Sequence, residues 1–124
     1  MEDREQTPDE VARLVDREVG TIANASAKAA LLEVLVRPQL QMRRWDYSLT
    51  RELLPCWIVA EFRGMPLGLA YSPMGHGARG DCWGVVELRG ERFGRDDAWF
   101  TTLEDALINS GQYHGPVPDD YEIR

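Results

Sequence analysis

The chain has 124 residues, of which 21 are acidic and 14 basic, and a formal net charge of −7. This length and a 44% hydrophobic content are enough for one domain with a buried core. The negative balance argues against a nucleic-acid ligand, and the absence of a stretch of about 20 apolar residues argues against a membrane span, so we expect a soluble, cytoplasmic, single-domain protein (1–124).

Residues 1–37 have the pattern of a helical hairpin. Thr7 and Glu10 have the spacing of a capping box, and apolar residues follow at helical intervals as far as Gly20. A second apolar helix is predicted to follow and to stop before Pro38, because the residue before a proline disfavours helical geometry.

An internal repeat dominates the centre of the chain. The segments Cys-Trp-Ile-Val-Ala-Glu-Phe-Arg-Gly (56–64) and Cys-Trp-Gly-Val-Val-Glu-Leu-Arg-Gly (82–90) match at six of nine positions. Each is typical of a strand that ends in an Arg-Gly turn, and each is followed by a second extended run. The repeat therefore predicts two β-hairpins, and residues 39–101 are predicted to form an antiparallel sheet of four to five strands.

Alternation along each strand predicts which side chains share a face. We expect the small and apolar set to face the helices: Cys56, Ile58, Ala60 and Phe62 with their counterparts Cys82, Gly84, Val86 and Leu88. The opposite, solvent-facing side would then hold Trp57, Glu61, Trp83 and Glu87.

The C-terminal part begins with a second capping pattern at Thr102. It predicts a short helix over 102–111 and an extended acidic tail over 112–124. The complete prediction is an α+β fold in which a helical hairpin packs on the sheet and a short helix closes the domain.

The acidity is concentrated at the two ends of the chain. Residues 1–20 contribute −4 and residues 96–124 contribute −6, whereas residues 21–95 have a balance of +3. The acidity is therefore expected at the edges of a binding surface whose centre is aromatic.

Glu61 and Glu87 are the candidate acid–base pair. Two carboxylates on one sheet face could hydrolyse a glycoside or a peptide. The repeat also places an arginine two residues after each, so cross-strand ion pairs explain both glutamates, and we favour that interpretation.

Other candidate chemistry is weaker. Gly75-His-Gly-Ala-Arg-Gly80 matches G-x-G-x-x-G, but a strand is predicted to follow where a dinucleotide fold needs a helix. The two histidines and two cysteines lack the spacing of a metal site, and thiols on a core-facing side are expected to be inert. We therefore predict no catalytic residue, no metal, no cofactor and no enzymatic activity.

The short acidic chain, the Trp-rich meander and the segment Trp99-Phe-x-x-Leu-Glu-Asp-Ala-Leu107 resemble the small immunity proteins that neutralise bacterial toxins. The resemblance covers roughly residues 39–110. It implies a protein partner, a toxin domain whose active site is occluded, and an acidic surface would steer the approach to a basic cleft. The residues predicted to bind this partner are Trp45, Asp46, Trp57, Glu61, Trp83, Glu87, Asp96 and Asp97.

Two alternatives stay open. One is a phage-type inhibitor, such as an anti-CRISPR protein, that mimics nucleic acid with its carboxylates. The other is a small hydrolase that uses Glu61 and Glu87. The sequence does not predict the oligomeric state.

Overall fold

A computed structural model describes residues 6–44, 53–76, 81–94 and 98–117. The α+β prediction is confirmed: helices accompany a five-stranded antiparallel sheet, and a short helix follows it. The elements in chain order are α1 (Pro8–Thr21), α2 (Ala25–Val34), β1 (Leu35–Arg43), β2 (Leu54–Glu61), β3 (Leu67–His76), β4 (Asp81–Glu87), β5 (Trp99–Phe100) and α3 (Leu103–Ile108).

Helix α1 begins as its sequence predicts. The Thr7 hydroxyl accepts a hydrogen bond from the Glu10 amide, and the Glu10 carboxylate accepts one from the Thr7 amide. Val11, Val15 and Val19 recur every four residues and are all buried. The capping box therefore sets the start of α1, and the valine stripe sets the face that it buries.

The boundary between α2 and β1 differs from the prediction. Helix α2 ends at Val34, and β1 starts at Leu35 and continues through Pro38. A proline fits here because β1 is an edge strand, and its pairing with β2 shifts register between Leu35 and Gln39. Pro38 thus lies at an irregularity inside a strand, where it had been expected to separate a helix from a strand.

The sheet is an antiparallel meander with the order β1-β2-β3-β4-β5. The two repeat segments form β2 and β4, which pair with opposite sides of β3. The predicted hairpins are therefore present. The first Arg-Gly turn needs its glycine, because Gly64 has a φ of +76°.

The assignment of sheet faces was wrong for most positions. The helices pack on Trp57, Val59, Leu69, Trp83 and Phe100, which with buried residues of α1, α2 and α3 form what we call the helix-side core. The small-residue face forms a separate inner core of Cys56, Ile58, Ala70, Val86, Phe93 and Trp99.

A β-bulge explains why the two repeat copies diverge. The register between β2 and β3 shifts between Ile58 and Ala60, so the residue between them is unpaired. Val59 and Ala60 consequently both contact the helix-side core, and Phe62 follows on that side. The prediction was therefore correct for Ala60 and Phe62, but only because the bulge reverses the alternation after Val59.

The sheet curls until its first strand meets the segment that follows β4. The Arg44 amide donates to the Glu91 carbonyl at 3.1 Å, and the Arg44 carbonyl accepts from the Phe93 amide at 2.9 Å. This is a single parallel bridge between Arg44 and Arg92. The inner core lies inside the curl, and small residues are needed there because the strands approach closely.

Gly84 shows how tight the inside of the curl is. A Cβ built on Gly84 would lie 2.4 Å from the indole of Trp99. The indole nitrogen of Trp99 donates to the Phe93 carbonyl at 2.9 Å, and the two rings meet edge to face. The second repeat copy therefore has glycine where the first has Ile58, because Trp99 fills that space.

Helix α3 and the residues after it close the helix side. Thr102 caps α3 as predicted, and the Glu18 carboxylate accepts a hydrogen bond from the Leu103 amide at 2.8 Å. Residues 112–117 have no regular secondary structure, and the Asn24 side chain donates to the Pro116 carbonyl at 2.8 Å. This part of the predicted tail is thus anchored at the start of α2.

Candidate functional site

Trp57 and Trp83 are buried and cannot form an exposed binding face. Their side chains are 3% and 5% exposed, and both belong to the helix-side core. They flank Tyr71 in directly paired positions across β2, β3 and β4, and the rings of Tyr71 and Trp83 are 4.8 Å apart. The aromatic row that sequence analysis assigned to a partner therefore supports the helices.

Glu61 and Glu87 lie on opposite faces of the sheet. Directly paired residues share a face, and Glu61 pairs with Gly68, which pairs with Val86 of the inner core. Glu87 pairs with Leu67, which packs against the helix-side core. Both glutamates are exposed, but the bulge in β2 separates them, so the expectation of one shared face was wrong. They do not converge on a common substrate bond.

The other predicted partner-binding residues are Trp45, Asp46, Asp96 and Asp97. All four lie outside the residues that the structure describes. Their role in partner binding therefore stays a prediction.

The cysteines have raised pKa values. Burial raises the pKa of the Cys56 thiol to about 12, and the positive charge of Arg43 opposes that rise. Burial also raises the pKa of Cys82, and the nearby carboxylate of Asp81 adds to the effect. Both thiols are therefore protonated at neutral pH, which disfavours a nucleophilic role.

The glycine-rich segment joins two strands. β3 continues to His76, so it includes the first two residues of the segment that was predicted to be a loop. A strand follows the segment as predicted, since β4 begins at Asp81, and residues 77–80 are outside the described ranges. Within the described part of the chain, no group of three or more His, Cys, Asp or Glu residues could hold a metal ion.

An apolar surface lies where β1 ends and β2 begins. Met42 is 45% exposed and Leu53 is 52% exposed, and together with Arg44 and Glu91 they line a groove of about 400 Å³. We call these four residues the β1–β2 groove. It places one cation and one anion beside two large apolar side chains, a composition typical of the contact regions of protein interfaces.

The groove has a rigid support. The Arg44 backbone is fixed by its bonds to Glu91 and Phe93, and the side chain of Arg43 lies beneath, 1% exposed. The Arg43 guanidinium donates to the carbonyls of Glu87 and Arg92 at 2.7 and 3.0 Å. Because both strand ends are tied together, the groove is already formed before any partner binds.

The β1–β2 groove was not predicted from the sequence, although the sequence contains one pattern that points to part of it. The alternation of Leu40 and Met42 with Gln39 and Gln41 predicted a strand with one apolar side. Only the coordinates show that the helices leave this part of the apolar side uncovered. Glu91 could not have been included, since it reaches Arg44 through the curl of the sheet.

No family model, curated protein or solved structure matches this chain. Separately, none of the helices in the described ranges is long and apolar enough to cross a membrane.

Proposed function

We propose that this protein is a toxin-neutralising immunity protein that binds a cognate toxin domain and covers its active site. The observation that supports the proposal most is the β1–β2 groove. It is an exposed apolar surface on a preformed sheet end, and it combines anchoring side chains with charged groups at their border.

The groove suits a protein ligand better than a small molecule. Met42 and Leu53 are about half exposed, so a partner could still bury a large part of both side chains. The groove is open to solvent, whereas small-molecule sites enclose most of their ligand. Trp45 and Asp46, the next residues in the chain after Arg44, stay predicted contacts that would supply an aromatic anchor and a carboxylate.

The charge of the chain supports a basic partner. The net charge is −7, and Glu91 contributes a carboxylate at the groove itself. Toxins that act on nucleic acid or nucleotides need cationic clefts to hold phosphates. A carboxylate beside an apolar anchor would pair with those cations, and the long-range field would accelerate encounter.

The test is a growth-rescue screen. The chain is coexpressed with a panel of toxin domains that act on nucleic acid or nucleotides, and surviving pairs are purified. We expect at least one toxin to be neutralised in a 1:1 complex whose association rate falls as ionic strength rises. If no toxin of the panel is neutralised, or if rescue occurs without a complex, the proposal is wrong.

The same purification separates the phage-inhibitor alternative. In that case the chain would bind a CRISPR nuclease complex and would leave every toxin active. No described observation favours this alternative over a toxin partner, because the β1–β2 groove is apolar and of mixed charge, unlike a surface that imitates a row of phosphates.

A further inference from the structure

Strand β1 has an unpaired outer edge. It is the first strand in the sheet and β2 is its only neighbour in the sheet order. The Arg44 amide and carbonyl point away from β2, since both bond to the segment 91–93. In an antiparallel ladder the N–H and C=O groups of every second residue point the same way, so those of Leu40 and Met42 also point outward.

The partner of Met42 across the β1–β2 ladder supports this orientation. Met42 lies opposite Pro55, which has no N–H to donate to β1. If Met42 and Pro55 were a hydrogen-bonded pair, the bond from the Pro55 N–H to the Met42 carbonyl would be missing. Gln39 and Gln41 therefore bond to β2, and the backbone groups of Leu40 and Met42 face outward.

No described residue pairs with these outward groups. The side chains are also accessible, because Leu40 is 40% exposed and Met42 is 45% exposed. The segment 38–42 contains no charged residue. Natural edge strands usually have charges or prolines that prevent pairing with another strand. In β1, Pro38 and the exposed Arg37 lie before residues 39–42, and these four residues have neither a charge nor a proline.

We propose that the outer edge of β1 pairs antiparallel with the same edge of a second copy of this chain, about a twofold axis at Gln41. Leu40 of each copy lies opposite Met42 of the other. Each of these two residue pairs exchanges both of its hydrogen bonds, and the apolar side chains meet on one face. The product is a continuous sheet across two molecules.

This register uses the outward N–H and C=O groups of both Leu40 and Met42. It places Pro38, which has no N–H, opposite Arg44, whose N–H and C=O are already bonded to Glu91 and Phe93. A shift by two residues in one direction would put Leu40 opposite the occupied Arg44. A shift in the other direction would put Met42 opposite Pro38, so both shifts leave a group unpaired.

The size and charge of the contact predict a reversible dimer. A five-residue edge buries less than the roughly 800 Å² per partner of a stable interface. Each copy also has a net charge of −7, so the copies repel each other at low salt. Salt screens this repulsion, and we expect self-association to strengthen as ionic strength rises. A basic toxin would show the opposite salt dependence, so the two proposals can fail independently.

The test is analytical ultracentrifugation of the whole chain from low micromolar to near-millimolar concentration, at low and high salt. The wild-type chain should form a dimer that is favoured by salt. Leu40→Pro removes one outward N–H per copy without touching the β1–β2 ladder, and it should weaken the dimer by about tenfold or more. A wild-type chain that stays monomeric at every concentration would overturn the proposal.

A charge-swap pair covers the case in which Leu40→Pro does not fold. One variant carries Leu40→Lys with Met42→Lys, and the other carries Leu40→Glu with Met42→Glu. Each alone should be monomeric, and a mixture should form a heterodimer because opposite charges then face each other. If both variants dimerise as well as the wild type, the dimer uses another face and the proposal is wrong.

Discussion

Arg43 is the side chain that connects the most parts of the fold. It is buried, and its guanidinium donates to the carbonyls of Glu87, Leu88 and Arg92 as well as to the Gln41 side chain. Every one of these acceptors is neutral. The arginine therefore serves as a multidentate donor that ties the end of β1 to the segment after β4, and it holds the curl closed.

Replacing Arg43 by methionine should destabilise the fold substantially. The Arg92 carbonyl would lose its bond from the guanidinium, and the Glu87 carbonyl would keep only the bond from the Gly90 amide. Losing these bonds to a charged donor should cost about 2–4 kcal/mol in the free energy of unfolding. Chemical denaturation measures this change. Arg63→Met is the matched control, because Arg63 is exposed, and it should change the free energy of unfolding by less than about 0.5 kcal/mol. Equal stability of the two variants would contradict this role.

The two thiols should differ in reactivity. Cys56 is fully buried and Cys82 is partly exposed, so an alkylating reagent should modify Cys82 first and Cys56 only when the chain unfolds. Mass spectrometry of a time course distinguishes them, and simultaneous modification would contradict the burial of Cys56.

The thiol of Cys56 also predicts a pH dependence. Its pKa in the fold is about 12, above the value of about 8.5 in an unfolded chain. The unfolded state therefore loses this proton first, and the free energy of unfolding should fall as pH rises from about 8.5 towards 12. Cys56→Ala should lessen that decline relative to the wild type, as denaturation at several pH values can measure.

At the level of elements, the helix starts and the repeat hairpins could be predicted from the sequence because their causes are local. Thr7, Thr102 and the Arg-Gly turn act through neighbouring residues. The face assignment failed because the helices cover the face with Trp57 and Trp83, while the small-residue face is filled by Phe93 and Trp99 inside the curl. The bulge at Val59 depends on pairing with β3, and it places Glu61 and Glu87 on opposite faces. A single unpaired residue reverses alternation, and nothing local distinguishes the bulged copy from the regular one.

The curl of the sheet could not be predicted from the sequence either. The bridge between Arg44 and Arg92 joins residues far apart in the chain, and the choice of glycine at position 84 has meaning only beside Trp99. The candidate site depends on that curl. For this reason the alternation of apolar residues predicted that Met42 lies in a strand, but it did not predict the groove.

Asn24 links the N-terminus of α2 to the segment 112–117. Its Oδ1 accepts from the amides of Ser26 and Ala27, and its Nδ2 donates to the Pro116 carbonyl. Asn24→Asp should keep the cap and lose only the anchor, whereas Asn24→Ala should lose both and cost about 1 kcal/mol through the cap alone. We expect both variants to speed proteolysis of the C-terminal segment, but only Asn24→Ala to lower the melting temperature clearly. A normal proteolysis rate in both would show that the anchor is unimportant.

At the scale of the whole molecule, the burial of Trp57 and Trp83 means that the interaction surface we propose is not the sheet face that the sequence predicted. A row of exposed Trp residues would have made the sheet face the binding surface. With Trp57 and Trp83 under the helices, the exposed apolar side chains of the sheet's end and edge are Leu40, Met42 and Leu53. Under the proposed function, the acidic segments would supply long-range attraction and the β1–β2 groove would supply the contact.

The most direct test of this account compares two surface variants in the growth-rescue assay. Met42→Asp with Leu53→Asp places charges in the β1–β2 groove, and Leu32→Asp with Met65→Asp places the same charges on exposed apolar residues elsewhere. Both variants should fold. The account predicts that the groove variant fails to neutralise the toxin while the control variant still neutralises it. If the groove variant still neutralises the toxin, the groove does not make the contact.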